Sequence, residues 1–93
     1  MDVLDQLIEE ARTRQRLPDP FVCRSLRLRV PLTQGEMAEA VADELGRRVS
    51  RATVTRWESG SRAPRGPMRA AYVRVLERLA ESTSDRPAGA DRR

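Results

Sequence analysis

Two arginines give the segment from Ser50 to Gly60 its clearest chemistry. A guanidinium can donate parallel hydrogen bonds to O6 and N7 of a guanine, and Arg51 and Arg56 lie five positions apart. These residue types favour readout of base edges in a DNA major groove.

A short helix is expected to position these side chains. Ser50 can cap its N-terminus, and Gly60 ends it after little more than two turns. Val54 and Trp57, three residues apart, predict a thin buried stripe. The remaining face carries Arg51, Ala52, Thr55 and Arg56. A helix of this length and polarity suits insertion into a major groove.

A second helix is predicted immediately upstream. Thr33 can cap it and Gly46 stands where it should end. The apolar residues between them recur at helical spacing: Met37, Ala38, Val41, Ala42 and Leu45. The segment from Thr33 to Gly60 therefore predicts two helices joined by a turn.

The two-helix segment also resembles a known family. The matching features are the pair Thr-Gln, an apolar residue and an Ala three and four positions after that Gln, and then the pattern V-S-x-x-T-V-T-x-W-E-x-G. With these features the segment resembles the helix-turn-helix of the phage-repressor (Cro or XRE) family. Cys-Arg-Ser-Leu-Arg upstream resembles the family's first helix, and Pro64-Arg65 its following loop. The resemblance covers about Phe21 to Leu79. Between Ala38 and Val49 the chain has roughly six extra residues, interpreted as about one helical turn plus about two turn residues.

The resemblance implies a set of DNA contacts. The positions that reach base edges in the family correspond to Arg51, Ala52 and Arg56. The residues expected to bind phosphate are Gln34, Ser50, Thr53, Thr55, Arg62 and Arg65. Gln34 stands at a helix N-terminus, where free amides and the helix dipole favour a phosphate. Such contacts position the protein without specifying sequence.

Four further positions are interpreted as structural rather than DNA-binding. The resemblance implies an ion pair between Arg27 and Glu58 that ties the first core helix to the recognition helix. Trp57 and Cys23 correspond to buried apolar positions of the family, so packing is expected for both rather than base stacking or redox sensing.

Composition is compatible with this interpretation. The chain has 93 residues, enough for one domain, and 39% of them are hydrophobic. Eighteen basic residues, all arginine, oppose fourteen acidic ones and give a net charge of +4. A basic balance favours a polyanionic partner such as double-stranded DNA.

Catalysis and metal binding find little support in the sequence. There is no histidine, one cysteine and no glycine-rich phosphate loop, so no nucleophile–base pair or metal site can be assembled. We expect a non-enzyme without cofactor or metal. One cysteine, no signal peptide and no membrane-spanning apolar run predict a cytoplasmic protein without membrane contact.

Four more segments complete the organisation. An amphipathic helix is predicted from about Asp2 to Arg14, and its apolar residues are Val3, Leu4, Leu7, Ile8 and Ala11. This stripe either packs over the core or forms a dimer contact. A helix capped by Asp19 should end near Arg29, and a last helix should span about Pro67 to Ala80. The polar sequence from Ser82 predicts a disordered tail.

The expected fold is all-α: a five-helix, lambda-repressor-like helix-turn-helix domain with an extra N-terminal helix and a disordered C-terminal tail. The predicted boundaries are 1–17 for the N-terminal helix, 18–81 for the DNA-binding domain and 82–93 for the tail. The resemblance implies a sequence-specific transcriptional regulator, a repressor that binds a palindromic operator as a homodimer.

Two other functions remain open. The chain could be an antitoxin or another protein-interaction module with autoregulatory DNA binding, although only the first helix and the tail are available for a protein partner. RNA binding is disfavoured because the chain has just three aromatic residues.

Overall fold

A computed structural model describes residues 2–84 and contains five helices, in agreement with the all-α prediction. They are α1 (Val3–Arg16), α2 (Pro20–Arg29), α3 (Gln34–Leu45), α4 (Arg51–Ser59) and α5 (Gly66–Ser84). No helix within these residues is long and apolar enough to span a membrane.

The first four helices begin at side chains that can satisfy free backbone amides. Each N-cap accepts a hydrogen bond from the amide three residues later, and these caps are Asp2, Asp19, Thr33 and Ser50. Gly46 and Gly60 end α3 and α4 with φ values of 84° and 81°. This left-handed conformation favours glycine, which explains why the helices stop there.

The hydrophobic core lies between α5 and the helices α2, α3 and α4. Its buried apolar residues are Cys23, Met37, Ala38, Val41, Val54, Trp57, Ala71, Tyr72, Val75, Leu76 and Leu79. The rings of Trp57 and Tyr72 pack with centroids 4.6 Å apart. Trp57 therefore lies in the core. Burial of Cys23 in the same core raises the pKa of its thiol.

The orientation of α1 contradicts one of the two roles predicted for its apolar stripe, which was to pack over the core. Thr13 is its one buried residue among those with described side chains, and the apolar residues Val3, Leu4, Leu7 and Ile8 are exposed. The stripe therefore does not cover the core, because a more polar side of the helix faces α5.

The C-terminal helix is longer than predicted. It continues to Ser84 rather than ending near Ala80, so the first residues assigned to the tail are helical. The apolar periodicity ends at Leu79, but the helix continues, and Thr83 donates a hydrogen bond to the carbonyl oxygen of Ala80. The remainder of the predicted disordered tail lies outside the described residues.

Candidate nucleic-acid interface

Helix α4 has one buried and one exposed side. Val54, Trp57 and Glu58 are buried against the rest of the domain. The exposed residues of its outer side are Arg51, Ala52, Thr55, Arg56 and Ser59. The side chains predicted to read bases therefore share one accessible helix surface, and a narrow buried stripe holds that surface in place.

A buried ion pair anchors α4 to α2. The Nε and one terminal nitrogen of Arg27 donate hydrogen bonds of 2.6 and 2.9 Å to the two carboxylate oxygens of Glu58. The two side chains are only 7% and 3% exposed. The hydrogen bond to Glu58 raises the pKa of Arg27, so its guanidinium stays charged. Its side-on geometry fixes both position and rotation of the carboxylate.

Arg27 makes a third contact that the sequence did not predict. Its other terminal nitrogen donates a 2.7 Å hydrogen bond to the carbonyl oxygen of Leu32, next to the N-cap Thr33. One guanidinium thereby connects α2, α4 and the start of α3. The sequence shows that Leu32 precedes the N-cap of α3, but this pattern does not indicate that its carbonyl oxygen would accept a hydrogen bond from Arg27.

Gln34 extends this network to the outer side of α4. Its side-chain nitrogen donates to Glu58 at 3.2 Å, and its side-chain oxygen accepts from the Thr55 hydroxyl at 2.7 Å. Two residues predicted separately as phosphate ligands are thus bonded to each other. This arrangement orients the Gln34 amide and leaves one of its N–H groups without an acceptor among the described residues.

The N-terminus of α3 offers backbone donors beside this network. Thr33 and Glu36 form a capping box that satisfies each other's backbone amides. Within residues 2–84, no carbonyl or side chain accepts from the amides of Gln34 and Gly35. The first amides of a helix, together with its dipole, form a site of the kind that binds phosphate.

An open groove runs along the other flank of α4. Its volume is about 670 Å³ and its polar lining includes Thr53, Arg56, Arg62 and Arg65. Thr53 also lies 3.0 Å from the hydroxyl of the N-cap Ser50. Three arginines of the groove therefore surround a space open to solvent.

Some arginines of the described residues form ion pairs, but those on this surface do not. Arg16, Arg74 and Arg78 form ion pairs with carboxylates of neighbouring helices. In the part of the chain that the structure describes, no carboxylate lies within ion-pair distance of four others: Arg51, Arg56, Arg62 and Arg65. The outer side of α4 and the following loop therefore carry positive charge that is not neutralised locally.

Comparison with known proteins agrees with this geometry. A family model described as helix-turn-helix matches residues 24–81, which include α3, α4 and most of α2 and α5. No curated protein and no solved structure gave a match. The chain belongs to the helix-turn-helix family and is a DNA-binding transcription regulator of the XRE type.

Proposed function

We propose that this protein is a repressor that binds a palindromic operator as a homodimer and regulates transcription by blocking polymerase. One observation carries the proposal. Arg51, Ala52 and Arg56 lie exposed on the side of α4 opposite its buried stripe, and the buried Arg27–Glu58 pair holds that helix. Rigid presentation favours base readout because a misplaced arginine loses its paired hydrogen bonds.

Sequence preference would come from three side chains of α4. Arg51 and Arg56 each donate to O6 and N7 of a guanine, while Ala52 contacts a thymine methyl. Each bidentate contact is worth about 1–3 kcal/mol of discrimination against the wrong base.

Phosphate contacts on both flanks would hold α4 in the groove. On one flank, Gln34 offers its remaining amide hydrogen beside the free backbone amides of α3. On the other flank, Arg62 and Arg65 line the groove beyond Gly60. Ser50, Thr53 and Thr55 carry the hydroxyl groups between these flanks, and the Thr55 hydroxyl would exchange its hydrogen bond to Gln34 for one to phosphate. Their placement around α4 supports a role in positioning it on the duplex.

The homodimer follows from the amount of sequence that one helix can read. Helix α4 has nine residues and three base-reading candidates, so a single copy contacts only a few base pairs. Two-fold pairing doubles the site and requires half-sites about one helical turn apart, or a multiple of that spacing.

Selection of bound duplexes from a random pool tests this proposal. We expect a palindromic consensus with guanines in each half-site. A single unrepeated half-site would contradict the homodimer, and an unenriched pool would contradict sequence-specific binding altogether.

One observation favours the antitoxin or protein-interaction alternative, namely the exposed apolar stripe of α1. A different protein seated there would make DNA binding an autoregulatory activity. Pull-down from native lysate separates the two functions, since a stoichiometric protein partner supports the alternative and its absence supports the simple repressor.

A further inference from the structure

The apolar stripe of α1 has no cover in the described part of the chain. Val3, Leu4, Leu7 and Ile8 are 70, 63, 55 and 40% exposed. They follow one another along one side of the helix at the spacing of an amphipathic stripe. A contiguous row of large aliphatic side chains is unusual on a monomer and marks an interaction surface.

The opposite side of α1 is the one attached to the domain. Thr13 is buried there, and Gln6 and Glu9 line the same cleft against α5. Arg16 pairs with Glu77 of α5 through bonds of 2.9 and 3.1 Å. The helix is thus fixed with its apolar stripe directed away from the body, so a rotation toward its own core would break these contacts.

The charges of α1 are divided between its two halves. The acidic residues of the helix and its cap all precede the basic ones: Asp2, Asp5, Glu9 and Glu10, then Arg12, Arg14 and Arg16. Glu9 and Glu10 line the cleft against α5 and Arg16 pairs with Glu77, so the charges available to a partner are Asp2 and Asp5, then Arg12 and Arg14. Parallel pairing of two such helices would bring like charges together. Antiparallel pairing brings the acidic half of each helix to the basic half of the other, and this arrangement has two-fold symmetry.

We propose that α1 of a second copy covers this stripe in antiparallel orientation. This inference names the interface of the homodimer and therefore rests on the proposed function. The two-fold axis passes near Leu7 and Ile8. Leu4 of one copy therefore contacts the C-terminal half of α1 in the other copy. Asp5, beside the stripe, then approaches Arg12 of the partner subunit.

The self-complementary charge favours a second copy over an unrelated partner. A foreign protein would require no such division of α1 into acidic and basic halves. The contact is small, since one helix of fourteen residues supplies it. Interfaces below about 1,200 Å² belong to weak associations, so the dimer should depend on protein concentration and be favoured by adjacent half-sites.

Sedimentation of Leu7→Arg over a range of concentrations tests the surface. Because Leu7 is exposed, the variant should keep the helical circular dichroism and melting behaviour of the wild type while becoming monomeric. Leu28→Arg is the matched control, since Leu28 is a similarly exposed leucine on α2. A wild type that stays monomeric, a dimeric Leu7→Arg, or loss of the dimer in Leu28→Arg would overturn the assignment.

Charge reversal tests the antiparallel orientation without touching the apolar residues. Asp5→Arg and Arg12→Asp should each weaken the dimer, and the chain carrying both changes should regain it. In a parallel dimer each position faces its own copy, so the double variant would gain nothing over the single ones. Failure of the double variant to recover would overturn the proposed orientation.

DNA binding separates this inference from the proposed function. Leu7→Arg should bind a duplex with one half-site as the wild type does and lose affinity at least tenfold for the palindrome. A wild type that dimerises through α1 but ignores sequence would refute the repressor proposal alone. Sequence-specific dimers that survive Leu7→Arg would refute the α1 interface alone.

Discussion

Arg27 on α2 and Glu58 on α4 meet in a two-bond ion pair that is almost fully removed from solvent. Gln34 on α3 bonds to the same carboxylate, and Thr55 on the outer side of α4 bonds to Gln34. A continuous chain of hydrogen bonds therefore leads from the interior to the candidate DNA-reading surface. The orientation of that surface depends on a buried charge.

Removal of Glu58 should be strongly destabilising. Glu58→Ala leaves the Arg27 guanidinium buried without its counter-charge, and breaking such a pair costs about 3–5 kcal/mol. Urea unfolding of the variant and wild type measures the loss.

Glu77→Ala is the control for this experiment. Arg16 and Glu77 have the same two-bond geometry, but their side chains are 46% and 45% exposed. Solvent screens an exposed pair, so this variant should lose much less stability than Glu58→Ala. Equal effects of the two substitutions would contradict the buried role of Arg27–Glu58.

The Gln34–Thr55 contact should appear as a coupling between α3 and α4. A double-mutant cycle of Gln34→Ala and Thr55→Val, read by urea unfolding, isolates the hydrogen bond between them. We expect a coupling of about 0.5–1.5 kcal/mol, typical of one intramolecular hydrogen bond. Additive effects would mean that the two side chains act independently.

Acid should weaken the link between α3 and α5. Hydrogen bonding from Arg74, with the charges of Arg74 and Arg78, lowers the pKa of Glu44 in the folded protein. A carboxyl group whose pKa is lower in the folded than in the unfolded protein stabilises the fold at pH values above its unfolded pKa. This stabilisation is lost as the pH falls through the folded pKa. The stability advantage of the wild type over Glu44→Gln should therefore shrink as pH falls from about 6 to about 3.

Glu39→Gln provides the comparison for the acid experiment. Glu39 is an exposed carboxylate on the same helix and has no ion pair within the described residues. Its replacement should preserve the wild-type loss of stability at low pH. A Glu44→Gln profile parallel to that of the wild type at every pH would contradict the role given to Arg74.

The helices and the inward side of α4 were predictable because local chemistry determines them. Ser50 and Gly60 mark the ends of α4 through a cap and a left-handed residue, and neither depends on the rest of the fold. The spacing of Val54 and Trp57 identifies the buried stripe in the same way.

The relative placement of the helices was less accessible to sequence reasoning. Periodicity indicates that Leu4 and Leu7 share one side of α1, but it does not say what that side faces. The Gln34–Thr55 bond depends on how the connection from Gly46 to Ser50 sets α4 beside α3. Such contacts arise from tertiary packing, for which a single sequence carries no local signal.

Arg65 should act on all DNA alike. As a phosphate contact, its replacement by alanine should weaken binding to operator and scrambled duplex by a similar factor. It should also reduce the slope of log affinity against log salt by about one unit per site. Titration at several salt concentrations checks this, and a selective loss on operator DNA would instead make Arg65 a base reader.

The ratio of operator to scrambled affinity in Arg51→Ala and Arg56→Ala tests the central claim most directly. Each substitution should cost about 1–3 kcal/mol on the operator and relax discrimination at one base position, while scrambled DNA loses less. Arg24→Ala removes the same charge from an exposed position of α2 and should leave the ratio unchanged. If both α4 variants keep the wild-type ratio, α4 is not the helix that reads the sequence.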